Sequence, residues 1–302
     1  MSETTFTLRA AGRSRRRLWT NRVAIGAAIA AAVFAVGLLC ILVGSVLARG
    51  IHALNWNFFT HGPAVFGETG GGLAPAFVGT IMLVLIATAM ALPVGILVAI
   101  FVSEFAPKPV GDQIKLWLDV LNGFPSIVIG IFVYTLAVKS ATPILGIGHH
   151  QSAYAGGFAL SIIMIPLVAR TTMEVLALVP NNLREASYGL GVSKWRTVIS
   201  VILPTAFGGI LTGTTLAVAR AAGETAPLLF TCSIFGQTVN TDPSNSVATI
   251  PIIIFEYSES PDKHLNQQAW AAAFLLIMFV LVTSLIARVF LDRSRRKLGQ
   301  AS

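Results

Sequence analysis

Charge is scarce in this sequence. Only 11% of its 302 residues are Asp, Glu, Lys or Arg, against about 25% in an ordinary soluble domain. Cysteine is nearly absent. Cys40 and Cys232 cannot build a disulfide framework, and Cys40, inside an apolar run, is expected as a small buried hydrophobe. The five histidines are His52, His61, His149, His150 and His264, and none has HExxH or Cys/His ligand spacing. No serine stands in Gly-x-Ser-x-Gly. No Gly-Lys dipeptide occurs, so a Walker-type phosphate loop, and an ATP site of that kind, is excluded. The chain therefore offers no catalytic candidate and no metal-ligand set. No cofactor is expected on it.

What remains is apolar. Hydrophobic residues make up 55% of the chain, and the mean hydropathy is +0.77. A bilayer core about 30 Å thick takes roughly 20 residues of helix. Six stretches qualify: 23–47, 73–102, 117–138, 154–178, 205–231 and 269–290. The first is too long for the apolar part of a signal peptide, and no cleavage pattern follows it before Arg49. The expected fold is all-α, a polytopic membrane protein with six transmembrane helices. A basic tail (1–22) precedes the first span, and a second basic tail (291–302) follows the last.

The net charge is +8, and its distribution points to a membrane rather than to nucleic acid. Sixteen basic residues fall on one side: Arg9, Arg13, Arg15, Arg16, Arg17, Arg22, Lys108, Lys115, Arg184, Lys194, Arg196, Arg288, Arg293, Arg295, Arg296 and Lys297. Three fall on the other, namely Arg49, Lys139 and Lys263. The positive-inside rule puts both termini in the cytoplasm. The His149–His150 pair reads as polar loop and Thr69–Gly72 as flexible loop, and an outer loop is expected at about 232–268.

Two arginines lie inside spans. Arg220 is the sixteenth residue of 205–231, and Glu224 follows it at i+4; Arg170 and Glu174 repeat the spacing in 154–178. A guanidinium in hydrocarbon costs a few kcal/mol, so it faces protein or an aqueous cavity. Each pair is either a structural ion pair or part of an anion site, in which the planar fork of N–H donors meets an oxyanion. A neighbouring carboxylate would accept a hydrogen bond from an anion that still carries a proton, as hydrogen phosphate does and sulfate does not. Pro93, Pro125, Pro166 and Pro227 mark kinks or breaks. Gly209, Gly213, Ala217 and Ala221 form a small-residue stripe suited to close packing.

The loop 179–204 is the most specific segment. Pro180-Asn181-Asn182 signals a helix start, Gly189 and Gly191 a turn, and Ser193 a second cap. Counting from Glu185, the pattern is Glu185-Ala186-Ser187, Gly191 at the seventh position, then Leu203-Pro204 at the nineteenth and twentieth. This resembles the signature of permeases of type I ATP-binding-cassette importers, with Ser187 replacing a second alanine. Over about 72–290 the resemblance narrows to phosphate permeases of the PstA kind. It is carried by Gly72-Leu-Ala-Pro75, Gly79-Thr80, Asn122-Gly-Phe-Pro125-Ser-Ile-Val-Ile-Gly130, Ile165-Pro-Leu-Val-Ala-Arg170 and Ala219-Arg220-Ala-Ala-Gly-Glu224-Thr225-Ala-Pro227.

The resemblance implies a type I importer fold over 73–290 and an inner or plasma membrane location in a prokaryote. It implies a substrate pathway through Arg220, Glu224 and Thr225, with Arg170 and Glu174 as further candidates. It implies ATPase coupling through Glu185, Ala186, Ser187, Gly191, Leu203 and Pro204. The implied partners are a PstC-like permease, two copies of a PstB-like ATPase that uses ATP and Mg, and a PstS-like phosphate-binding protein. Two rivals stay open: a permease for sulfate or molybdate, and an ion-coupled secondary transporter with Glu224 as its proton site.

The charge count generates one test of topology. A single cysteine at Ser246, in an otherwise cysteine-free chain, is expected to react with an impermeant thiol reagent from outside intact cells. Reaction only after lysis reverses the orientation.

Overall fold

A computed structural model describes residues 13–63, 71–139, 150–233 and 238–299. The described residues are helical, and divide into a unit ending at Arg49 and a second from Gly50 onward. The N-terminal unit is one long helix, α1 (Arg13–Gly50). Its 38 residues span roughly 57 Å, more than a bilayer core. Cys40 lies on its exposed surface, not buried as expected.

The second unit contains α2 (Trp56–Thr60), α3 (Ala74–Ile100), α4 (Lys108–Gly123), α5 (Ser126–Val133), α6 (Ala153–Ala177), α7 (Asn181–Gly189), α8 (Lys194–Thr197), α9 (Leu203–Ala222), α10 (Ala226–Thr231), α11 (Ile250–Ser258) and α12 (Lys263–Gly299). Wide five-residue turns extend α3 over Phe101–Phe105, α5 over Tyr134–Val138 and the start of α9 over Val198–Ile202.

Helix α6 is the axis of this unit. It packs against α3, α9, α4, α5 and α10. Small residues set the spacing, because lipid supplies little hydrophobic drive and close contact must hold helices together. A Cβ on Gly213 would stand 2.5 Å from Thr171 Oγ1, and one on Gly209 2.5 Å from Val175 Cγ1. The stripe on α9 thus faces α6, with Ala217 and Ala221 buried in the same core. Gly95 meets Val168, and Gly157 meets Ile86, across the α3–α6 seam.

Three expectations need correction. The stretch 117–138 is not one straight helix: α4 and α5 meet at 94°, so it forms a broken span or a re-entrant pair. Pro125 has no N–H to continue α4 and instead precedes the first turn of α5. The stretch 205–231 is also broken. Helix α9 stops at Ala222, residues 223–225 are non-helical, and α10 begins with Pro227 in its first turn. Pro93 and Pro166, by contrast, sit inside continuous α3 and α6. Finally, 232–268 is not loop throughout. It contains α11, whose Ile250, Ile252, Ile253 and Tyr257 are buried. The Gly79-Thr80 pair explains its place. Gly79 admits the carbonyl of Ala248 where a Cβ would collide, and Thr80 Oγ1 accepts the Ile250 N–H at 2.9 Å.

Helix α12 runs on to Gly299, where the sequence suggested a tail from 291. The N-terminal 1–12, Thr69, Gly70 and His149 lie outside the described residues. Ser246 is half-buried, and its hydroxyl donates to Gln151 O at 2.8 Å, so exposed Ser244 is the faster labelling position in the topology test.

The two glycines of the Asn122–Gly130 motif provide a contrast. A Cβ on Gly130 would sit 2.6 Å from Pro227 Cα, whereas Gly123 has nothing within 4 Å. Gly130→Ala is expected to destabilise by about 1–3 kcal/mol, with Gly123→Ala near neutral. Thermal unfolding of the purified complex in detergent reads the difference. Equal midpoints refute this packing.

Candidate functional site

The site begins where two breaks meet. Gly130 follows the α4–α5 break by one turn and touches Pro227, just after the α9–α10 break. The α9 break has local causes. The Gly223 N–H closes on Arg220 O at 3.1 Å, and Glu224 N–H on Ala221 O at 3.2 Å, which ends the helix. Pro227 has no N–H for the ladder and its ring crowds the carbonyl four residues earlier, which disfavours continuation and suits the first turn of α10, where it stands. It restarts with Leu228 and Leu229 donating to Thr225 O.

Arg220 therefore lies in the last turn of α9, not midway along an unbroken span. A cation suits that position, because helix C-termini carry partial negative charge. Its Nε donates to Glu224 Oε1 at 3.5 Å, and the side chains are 46% and 18% exposed. This is one long contact and not a closed fork. Among the described residues, no group of this chain engages the guanidinium Nη atoms or the Thr225 hydroxyl. Arg220, Glu224 and Thr225 thus come together with donors and a carboxylate still available.

The second expected pair does not form. Arg170 pairs with Asp119 of α4, and its Nη2 also donates to Lys115 O at 3.4 Å. Glu174 is exposed on the same helix and takes no part in the pair. The turn of α6 that carries Arg170 lies against α4, and Asp119 reaches the guanidinium from there. The antiparallel register sets Thr171 against Gly213. Arg220 is therefore roughly two turns further along α9, and the Arg170–Asp119 pair lies apart from the Arg220 group.

The 179–204 loop folds into α7 and α8. Helix α7 starts after Pro180 and ends in a paired-hydrogen-bond cap: Gly191 N–H to Tyr188 O at 2.9 Å, and Val192 N–H to Ser187 O at 3.2 Å. That cap places the residue after the helix in left-handed conformation, and Gly191 has φ of 75°. Ser187 is buried and its hydroxyl meets Thr197 Oγ1 at 2.8 Å, so the departure from alanine ties α7 to α8. The Ser193 side chain makes no cap, although its carbonyl accepts the Thr197 N–H. Leu203-Pro204 opens α9. Pro204 cannot donate to Ser200, and the wide turn Val198–Ile202 sits there. Glu185, Ala186, Tyr188 and Leu190 remain exposed.

The sequence reading missed two acids. Asp119 holds Arg170, and Glu104 holds Arg184 at 2.8 Å. The signal was present: an acid inside the apolar run Phe101-Val-Ser-Glu-Phe needs a cationic partner.

Residues 91–298 match the family described as the binding-protein-dependent transport system inner membrane component. A phosphate transport system permease protein PstA of Yersinia pestis is 37% identical over 94% of this chain and 95% of its own length. PstA 1 of Mycobacterium tuberculosis H37Rv is 34% identical over 94% of this chain and 92% of its own. Among solved structures, a bacterial ABC transporter importing alginate aligns with a TM-score of 0.62 at 14% identity, covering 92% of this chain and 99% of that one. The MetNI methionine ABC transporter aligns at 0.56 and 16% identity, covering 73% and 93%. These two share the helical fold. The chain belongs to the binding-protein-dependent transport inner membrane components, and within them to the PstA permeases.

Proposed function

We propose that the chain is the permease subunit of an ATP-driven importer of inorganic phosphate. The observation that carries this is the uncommitted guanidinium of Arg220 beside Glu224 and Thr225, at paired helix breaks in a chain of the PstA family. Arg220 offers a planar set of donors to a phosphoryl oxyanion. Glu224 accepts a hydrogen bond from the protonated oxygen of hydrogen phosphate and repels an anion without a proton, which favours phosphate over sulfate. Thr225 adds a hydroxyl.

The pathway is completed by a PstC-like sister permease. The broad exposed apolar faces, including Ile127, Val128, Ile131 and Phe132 on α5, suit burial in that partner or in lipid. Coupling comes from a pair of PstB-like ATPase subunits docking on the exposed surface of α7, and ATP and Mg belong to them. A PstS-like binding protein delivers phosphate to the outer face. Both termini are cytoplasmic, and this chain carries no catalytic step of its own. Closure of the ATPases draws the docking loops together and opens the cavity outward; hydrolysis returns it inward.

The Arg220 assignment is tested by phosphate uptake per assembled complex. A half-exposed pair at 3.5 Å contributes under about 1 kcal/mol of stability, so Arg220→Gln is expected to assemble and lose uptake. Arg220→Lys is impaired, since a point charge replaces a fork. The double Arg220→Gln, Glu224→Gln variant stays inactive. Its recovery would show a structural pair and no anion site.

The docking turn is tested separately. Open space surrounds Gly191, so its left-handed backbone, not its size, is the constraint. Gly191→Asn, which tolerates that conformation, is expected to keep most stimulated ATP hydrolysis. Gly191→Val is expected to lose it. Equal activity in both variants rejects the turn's role.

A further inference from the structure

The docking loop is covalently joined to α6 and α9, yet its strongest side-chain attachment reaches a third helix. Arg184 of α7 puts Nη2 2.8 Å from Glu104 Oε1 and Nε 3.3 Å from the same oxygen. The same guanidinium caps the end of α6, donating to Leu176 O at 2.9 Å and Val179 O at 2.6 Å. Both partners are withdrawn from solvent, Arg184 at 16% and Glu104 at 5% exposure. The residue after Glu104 is gripped from α8. The Phe105 ring lies 6.1 Å from that of Trp195, and Lys194 Nζ stands 5.3 Å above it.

Each half of the docking loop therefore holds one residue of Glu104-Phe105, at the tip of the wide turn ending α3. A buried ion pair is a poor device for stability alone, because desolvation offsets much of its attraction. It is a good device for fixing register between two elements.

Helix α3 continues this attachment upward. It shares its longest seam with α6. Its other end holds the segment leading into α11, through Gly79 against Ala248 and Thr80 against Ile250. The direct link from α8 to α9 passes through the wide turn Val198–Ile202 alone, whereas Arg184 joins the wide turn after α3 and the end of α6 at once. We propose that Glu104 and Arg184 form the clamp that transmits docking-loop movement to the α3–α6 pair, which then moves as one rod toward the outer face. Glu104 is a positioning residue: it touches neither substrate nor nucleotide.

This rests on the coupling role proposed for α7, and the test separates the two. The four-component complex is reconstituted in proteoliposomes. Basal ATP hydrolysis, its stimulation by phosphate-loaded binding protein, and phosphate taken up per ATP are measured. Glu104→Gln is expected to assemble and keep basal hydrolysis, while stimulation and uptake per ATP fall about tenfold. The double Glu104→Gln, Arg184→Gln variant removes both buried charges, so it is expected to regain stability without regaining coupling. Normal coupling in Glu104→Gln, or recovered coupling in the double variant, overturns the clamp. So does failure of both to assemble, which would make the contact one of folding and not of motion. If the unmodified complex shows no stimulated hydrolysis, the coupling role itself fails, and the variants are not needed to see it.

Discussion

Close backbone approach around α6 is the constraint from which the rest follows. In hydrocarbon there is little gain from hiding one apolar side chain against another, so helices are held by dispersion at short range. Gly95, Gly157, Gly209 and Gly213 let the α3, α6 and α9 backbones come together where any side chain would intrude. That contact fixes the register of α9 on α6. The register in turn sets the two arginines apart along the seam. Arg170 reaches Asp119 on α4, and Arg220 is carried beyond the seam to the break at 223–225.

The charges then separate by environment. Arg184 is fully engaged, with a carboxylate and two carbonyls. Arg170 is shared between Asp119 and Lys115 O. Arg220 has one long contact and spare donors. A guanidinium whose N–H groups are all satisfied serves structure. One left open in a protein-lined space is ready for an anion. The family assignment points to phosphate as that anion, and its proposed place is Arg220, the arginine with donors to spare.

Much of this was legible in the residues, and the failures share a cause. Span number, the α9 stripe and the turn at Gly191 follow from local periodicity, small-residue spacing and the left-handed cap. Hydropathy, however, averages over a window. It could not see that Pro125 and Pro227 break helices while Pro93 and Pro166 do not. A proline alone does not decide between a kink and a break, since the surrounding helices determine which is tolerated. The i+4 rule pointed to Arg170–Glu174, because spacing along one helix is visible and an acid on another helix is not. Asp119 and Glu104 could be paired with arginines only once α4 and α3 were placed. Helix α11 was hidden for a similar reason: nine residues, Ile250–Ser258, are too few to register as a span.

The two kinds of irregularity have different mechanical meanings. The breaks at Pro125 and 223–225 free backbone and side chains near the candidate anion site, where a helix interior would present only apolar surface. The wide turns at Phe101–Phe105 and Val198–Ile202 sit beside the docking loop instead. There they aim Glu104 and Phe105 at one side of the loop and re-aim the chain entering α9 on the other. A wide turn inserts a residue without a matching ladder bond, so each leaves an irregular joint, one after α3 and one before α9. Arg184 is not confined to the first joint, because its guanidinium also holds Leu176 O and Val179 O at the end of α6. Under the proposed clamp, movement of the 179–204 loop therefore reaches α6 directly, and α3 follows through the long seam it shares with α6.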